Sequence, residues 1–243
     1  MPKVVDYHRP ASVEEAVGLL AQPNTAALAG GTRVNATPFA GRVVAVDLQD
    51  LGLAGIAATD DGRLRIGSTT TLQAIADDER VPAALRTLAR REAPSTMRTL
   101  ATIGGTVAAG GWESELLTGL LVCDAIVELR TAAGLRTVSL PELLGDCALL
   151  SGALITAITL SIDGVFAVDR TGRTPGDQAI VSAVARRSGG GQIVVAASGV
   201  AATPVLVGNT SALTPPPDFR GSTEYRSHLA TVLVARVRKA VSA

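Results

Sequence analysis

The stretch Thr102-Ile103-Gly104-Gly105 constrains this chain more than any other. Two adjacent glycines follow a β-branched pair, and the next six residues, Thr106-Val107-Ala108-Ala109-Gly110-Gly111, are small or glycine. Glycine lets backbone N–H groups turn outward and lets an anion approach with no Cβ in the way. Taken alone, the stretch reads equally well as a tight turn between strands. A second stretch of the same kind, Ala29-Gly30-Gly31-Thr32, shifts the balance, because two such loops could grip one diphosphate from two sides.

The 243 residues suffice for one large domain or two to three small ones. Lys+Arg and Asp+Glu both number 22, so the formal net charge is zero and neither a nucleic-acid nor a membrane-surface partner is expected. Charged residues make up only 18%, below the usual quarter, which points to surface buried against partner chains. No apolar run reaches the ~18 residues that span a bilayer. The stretch Met1-Pro2-Lys3-Val4-Val5-Asp6 lacks the apolar block of a secretory signal, so a cytoplasmic location is expected. Cys123 and Cys147 lie in apolar surroundings without CxxC spacing and read as buried free thiols; no metal site is expected. His8 and His228 read as surface or packing residues.

In chain order, Tyr7-His8-Arg9-Pro10 is an extended lead-in. Ser12-Val13-Glu14-Glu15 is a capping box opening a helix that Pro23-Asn24 ends. Ala26 to Ala29 is a short strand running into Gly30-Gly31-Thr32, and Val43 to Asp47 is a second. Leu64 to Ser68 alternates like a half-buried strand. Thr71 can cap a helix through Ala76, and Pro82 opens another toward Arg91. Leu116 to Val122 is helix or buried strand. Ala125 to Leu129 and Arg136 to Leu140 form a hairpin about Gly134. Pro141 starts a short helix, and Leu154 to Ile162 alternates as a strand. Ala179 to Arg187 and Ile193 to Val200 pair through Gly189-Gly190-Gly191. Thr214-Pro215-Pro216-Pro217 is a stiff linker, after which Ser222 caps a helix with Leu229, Val232, Leu233, Val237 and Val241 on one side.

Several chemistries fail on spacing. GxGxxG is absent, which argues against a Rossmann nicotinamide site. Gly105 to Gly110 has a P-loop gap, but Gly111 and Trp112 stand where lysine and Ser/Thr belong. No GxSxG elbow occurs. Side-chain catalysis is poorly supported, and the catalytic residues are left unassigned. What remains is backbone binding of a large phosphorylated cofactor that carries the reaction itself.

At this point the chain resembles a family. Asp6-Tyr7-His8-Arg9-Pro10 with Ser12-Val13-Glu14-Glu15-Ala16, then Leu28-Ala29-Gly30-Gly31-Thr32, Ile66-Gly67-Ser68, and Arg98 with Ala101-Thr102-Ile103-Gly104-Gly105 look like the FAD-binding medium subunit of molybdenum hydroxylases, the carbon monoxide dehydrogenase and xanthine dehydrogenase family. Arg173 with Gly176-Asp177, Thr203-Pro204-Val205, and Phe219-Arg220-Gly221-Ser222 with Glu224-Tyr225-Arg226 extend the likeness to the C-terminal domain. The resemblance implies an α/β (α+β) fold: a two-subdomain PCMH-type FAD-binding domain, residues 1–52 and 53–164, then a small α+β domain, 165–243, similar to the flavoprotein C-terminal domain of carbon monoxide dehydrogenase. It implies FAD between the subdomains, bound by Ala29, Gly30, Gly31, Thr32, Arg33, Val34, Thr102, Ile103, Gly104, Gly105, Thr106 and Glu115. It further implies a molybdopterin-binding large subunit and a 2Fe-2S small subunit as partners. Electrons would pass from iron–sulfur centres through FAD to an acceptor, and a homodimer is a further association.

The departures from the family gather around the cofactor. Thr106 stands where Asn is usual, Trp112 for Pro, Glu115 for Asp, Glu92 for a hydrophobic residue, Val168 for Lys, and Gln178 for an aromatic. Arg33 follows the first glycine motif, where a small or acidic residue is common. Val207 to Thr214 is short, as if a helix had been lost. These departures define an alternative: a FAD-free homologue acting as a scaffold, or a non-redox enzyme using the emptied cleft, with Glu92, Glu115 and Arg33 as its polar residues.

Overall fold

The computed structural model describes residues 4–32, 42–174, 176–208 and 213–243. The first stretch of chain forms β1 (Val4–His8), α1 (Val13–Leu20), β2 (Thr25–Leu28), β3 (Val43–Asp47), β4 (Ile56–Ala58) and β5 (Leu64–Gly67). A helical stretch follows: α2 (Leu72–Asp77), α3 (Ala83–Glu92), α4 (Ser95–Arg98), α5 (Ile103–Ala109) and α6 (Glu115–Val122). Next come β6 (Ile126–Thr131), β7 (Gly134–Ser139), α7 (Leu140–Gly145) and β8 (Leu154–Leu160). The remainder is β9 (Val165–Thr171), β10 (Val181–Arg187), β11 (Ile193–Ser198), β12 (Val205–Leu206) and α8 (Thr223–Ser242). The chain divides into two units: residues 1–75, 95–109 and 126–159 make one, and 76–94, 110–125 and 160–243 the other.

The first unit holds two sheets. β3 is the centre of a parallel sheet ordered β1-β3-β2. Its residues Val43, Ala45 and Val46 are buried, and α1 sets Ala16 and Val17 against Val46, Leu48 and Leu154. The capping box forms, with Ser12 Oγ accepting from the Glu15 N–H at 3.1 Å. Glu15 in turn accepts from the Ala11 N–H, one residue outside the expected position. The second sheet runs β4-β5-β8-β6-β7, and β6–β7 is the hairpin about Gly134. Its alternation is visible in β5. Leu64 and Ile66 are buried, while Arg65 points outward and reaches past β8 to grip Glu128 with two 2.8 Å bonds.

The second unit is built on an antiparallel sheet, β12-β11-β10-β9. β10 is buried almost throughout, because a helix packs on each face. Val181, Ala183 and Ala185 meet Ala230, Leu233, Val237 and Val241 of α8. The opposite face carries Arg186, which donates to the Val122 carbonyl at the end of α6. Small side chains on β10 let two helices approach one strand at native packing density. The segment read as helix or buried strand, Leu116 to Val122, is helix. β9 carries no strand in the sequence reading, and its polar residues explain why: Asp169 and Arg170 interrupt the apolar pattern but find ionic partners. Cys147 corrects the expectation of two buried thiols. Cys123 is buried and Cys147 exposed. The shortened segment after Val207 lies largely outside the described residues.

Candidate functional site

The first glycine stretch leaves β2 at its C-terminal end, next to β3. Leu28 is the last ladder residue, its carbonyl accepting from the Leu48 N–H at 2.9 Å. The chain then bends away, and Gly31 takes φ +68°, a left-handed conformation that favours glycine. Among the described residues, no backbone hydrogen bond engages the N–H groups of Gly30, Gly31 or Thr32. Gly30 has a separate steric reason to be glycine: a Cβ there would overlap the Leu100 carbonyl. The two glycine stretches are thus neighbours, the first packed on the residues that lead into the second.

The second stretch differs from its reading as a loop. Thr102 precedes α5, and Gly104-Gly105 form its first turn. Its N–H groups face the protein. Ile103 donates to the Thr70 carbonyl (3.0 Å), Gly104 to the Ser68 carbonyl (2.8 Å) and Gly105 to Thr102 Oγ1 (3.1 Å). Thr106 donates its N–H to the Thr102 carbonyl (3.0 Å) and its hydroxyl to the same oxygen (3.1 Å). A Cβ on Gly104 would stand 2.7 Å from the Ser68 carbonyl oxygen and 2.8 Å from Ser68 Cβ. That glycine admits the neighbouring strand, where the sequence suggested an approaching anion. The Ser68 hydroxyl is buried beside it without a hydrogen-bond partner.

Of the other expected site residues, Ala29 joins β2 to the first glycines and packs against the core beneath α1. Arg33 and Val34 lie outside the described residues. Glu115 belongs to the second unit, where it is the first residue of α6 and 3% exposed. Its Oε1 is 3.0 Å from Arg170 Nε and its Oε2 3.9 Å from Arg91. Burial raises the Glu115 carboxyl above its ordinary pKa, against the pull of those two arginines. Glu92 is also engaged: its carboxylate accepts from Ser114 Oγ at 2.9 Å and from the Leu116 N–H at 3.2 Å, supporting the start of α6. Arg170 escapes the sequence reading because the strand that carries it does.

The residues of the first unit fit a dinucleotide diphosphate. Uncommitted N–H groups at a strand's C-terminal end, on a backbone free of Cβ atoms, form an anion cradle. The unpartnered Ser68 hydroxyl belongs to the other stretch, beside Gly104. The Thr102–Gly105 turn supplies shape, since its own donors are taken.

Comparison with known proteins gives the family. The family model for the FAD binding domain in molybdopterin dehydrogenase matches residues 3–160. The uncharacterized protein YgfM of Escherichia coli K12 is 33% identical over 251 residues, covering 96% of this chain and 94% of that protein. The carbon monoxide dehydrogenase medium chain of Afipia carboxidovorans is 31% identical, covering 97% and 96%. A crystal structure of Cu,Mo-CO dehydrogenase superimposes with a TM-score of 0.87 at 28% identity, covering 99% of this chain and 98% of that one.

Proposed function

The chain belongs to the family of FAD-binding domains of molybdopterin dehydrogenases, and we propose that it passes electrons from iron–sulfur centres to an acceptor as the flavin subunit of its complex. In that complex it associates with a molybdopterin-binding large subunit and a 2Fe-2S small subunit. FAD, when bound, supplies the redox centre between those clusters and the acceptor. The chain's own residues bind and orient. Gly30, Gly31 and Thr32 donate N–H groups to the diphosphate. Arg33 and Val34 follow in sequence and enter on the family resemblance, and Thr102 to Thr106 supply shape. Glu115, held by Arg170, keeps a carboxylate fixed at the start of α6. The subdivision 1–52, 53–164 and 165–243 is part of the same proposal.

The observation that carries this reading is the set of open donors at Gly30 to Thr32. Gly31 is the position to perturb, because a Cβ there meets only Leu28 Cδ1 at 3.4 Å. Asn and Asp both tolerate its left-handed backbone better than most residues. Gly31→Asp should abolish flavin absorbance in the purified protein while Gly31→Asn keeps most of it, with matched melting temperatures. Equal flavin content in the two variants would remove the diphosphate from this loop. The wild type should carry about one FAD per chain, with bands near ~375 and ~450 nm.

The alternative of acid–base chemistry in an emptied cleft loses support from the same geometry. Glu92 and Glu115, two of its three candidate residues, are both committed to holding α6 and its surroundings.

A further inference from the structure

Among the described residues of the first unit, Tyr7 is the only Phe, Tyr or Trp. On β1 it stands in register with Ala45 of β3, yet its hydroxyl donates to Asp47 Oδ2, two residues further along that strand. The side chain therefore leans toward the carboxyl ends of the strands and across from β1 onto the end of β3. Asp47 is itself in register with Leu28 of β2, the residue from which the Gly30-Gly31-Thr32 loop departs. Ligands of parallel sheets bind outside the carboxyl ends of the strands. The Tyr7 ring and the open donors of the glycine loop share that end.

The ring is both held and open. Asp47 is 3% exposed, and its other oxygen, Oδ1, accepts from the Gln49 N–H at 3.0 Å. A buried carboxylate tied to backbone thus pins the phenol by its tip, and this hydrogen bond raises the phenol above its ordinary pKa, so the ring stays neutral. Tyr7 is nonetheless 47% exposed. A surface tyrosine ordinarily buries its ring and leaves its hydroxyl in water; here the hydroxyl is turned onto a buried group and the ring is bared. A ring fixed in this way loses little freedom when a flat partner stacks on it. From β1 to β2 is two strand spacings, roughly 10 Å, and the lean of Tyr7 onto β3 shortens the gap to the glycine loop. That gap suits the sugar and base joined to a diphosphate. Of the two bases in FAD, the carboxylate at the tip of the ring favours adenine, which stays neutral, over a flavin that takes up electrons.

We infer that Tyr7 is the stacking platform for the adenine of FAD, on the base side of the diphosphate received by Gly30 to Thr32. The inference rests on the flavin-subunit proposal, because it takes that loop as the diphosphate site.

The test titrates FAD and ADP into the flavin-free full chain by calorimetry, for wild type, Tyr7→Phe and Tyr7→Leu. Both variants take the same partner from Asp47, so their melting temperatures should match and the ring alone separates them. Tyr7→Leu should raise the dissociation constants of FAD and ADP by a common factor of at least about 5. Tyr7→Phe should stay within about 2-fold of wild type, because the stacking surface is kept. Unchanged FAD affinity in Tyr7→Leu, beside a wild type that binds FAD, overturns the platform and leaves the flavin-subunit proposal standing. A loss for FAD alone, or a wild type with no affinity for ADP, overturns the choice of adenine. A loss in Tyr7→Phe as large as that in Tyr7→Leu overturns the role of the ring. A wild-type chain that takes up neither ligand overturns both proposals together.

Discussion

Gly104 and Gly105 are adjacent in sequence, and the structure predicts unequal responses to the same change. Both lie in the first turn of α5, where Gly→Ala gains about 1 kcal/mol from helix propensity alone. At Gly104 the added Cβ falls 2.7 Å from a backbone oxygen and 2.8 Å from Ser68 Cβ. Neither atom can swing aside, because Ser68 is tied to Gly104 by a 2.8 Å bond and its own N–H donates to the Thr156 carbonyl in β8. Overpacking of this kind costs about 1–3 kcal/mol, toward the upper end when backbone must move. The net effect of Gly104→Ala is a loss of about 1–2 kcal/mol, or roughly 2–8 °C in melting temperature. At Gly105 the Cβ meets only Thr102 Oγ1, at 3.1 Å, so Gly105→Ala should stay within about 0.5 kcal/mol of wild type. Urea melts of the two variants, read by far-UV circular dichroism, measure the difference. A Gly104→Ala variant as stable as wild type would refute the packing role.

Three further outcomes follow from side chains. Burial pushes the Cys123 thiol up to about 12 while Cys147 is exposed, so a maleimide should modify one cysteine in native protein and two after denaturation, as counted by mass spectrometry. Asp163 accepts from the Gly189 N–H (2.8 Å) and from Arg186 (2.7 Å), which lower its pKa. Its contribution to stability is therefore present above the unfolded carboxylate value near ~3.9 and lost as pH falls through the lower folded value. Asp163→Asn should flatten that acid limb in pH-dependent melts. Arg226→Met should cost about 3 kcal/mol in a denaturant melt followed by Trp112 fluorescence, because Asp218 loses a buried partner.

Local signals in the sequence translated directly into structure. Ser12, Thr71 and Ser222 accept hydrogen bonds from N–H groups three residues on, as short-range caps should. The hairpin about Gly134 and the pairing of β10 with β11 were equally legible, since turn residues lie between their strands. What escaped depends on residues distant in sequence. The use of Gly104 is decided by Ser68, and the full burial of Arg226 by Trp112, Ile180 and Asp218. A buried arginine on an amphipathic helix leaves no periodic trace, because the helix pattern alone assigns it to solvent. Cys147 sits in a 3-10 turn whose apolar sequence, Cys147-Ala148-Leu149-Leu150, hides its exposure.

The paired glycine motifs show how one sequence feature serves two physical ends. In both, the missing Cβ is needed, and in both a backbone segment fills part of the space it leaves: Leu100 beside Gly30, Ser68 beside Gly104. The difference lies in the N–H groups. A strand that ends at Leu28 leaves the following donors with no ladder to join, whereas a helix beginning at Ile103 turns its first donors onto Thr70, Ser68 and Thr102. An unsatisfied donor is costly only where water and ligand are both excluded, so the open set marks the side on which an anion can be received. The flavin-subunit proposal thus places the burden of diphosphate binding on one loop, and the second loop's role is to hold Leu100 and Ala101 where Gly30 can rest against them. Gly104→Ala in the second loop should accordingly reduce stability and flavin content together. Gly31→Asp should reduce flavin content alone.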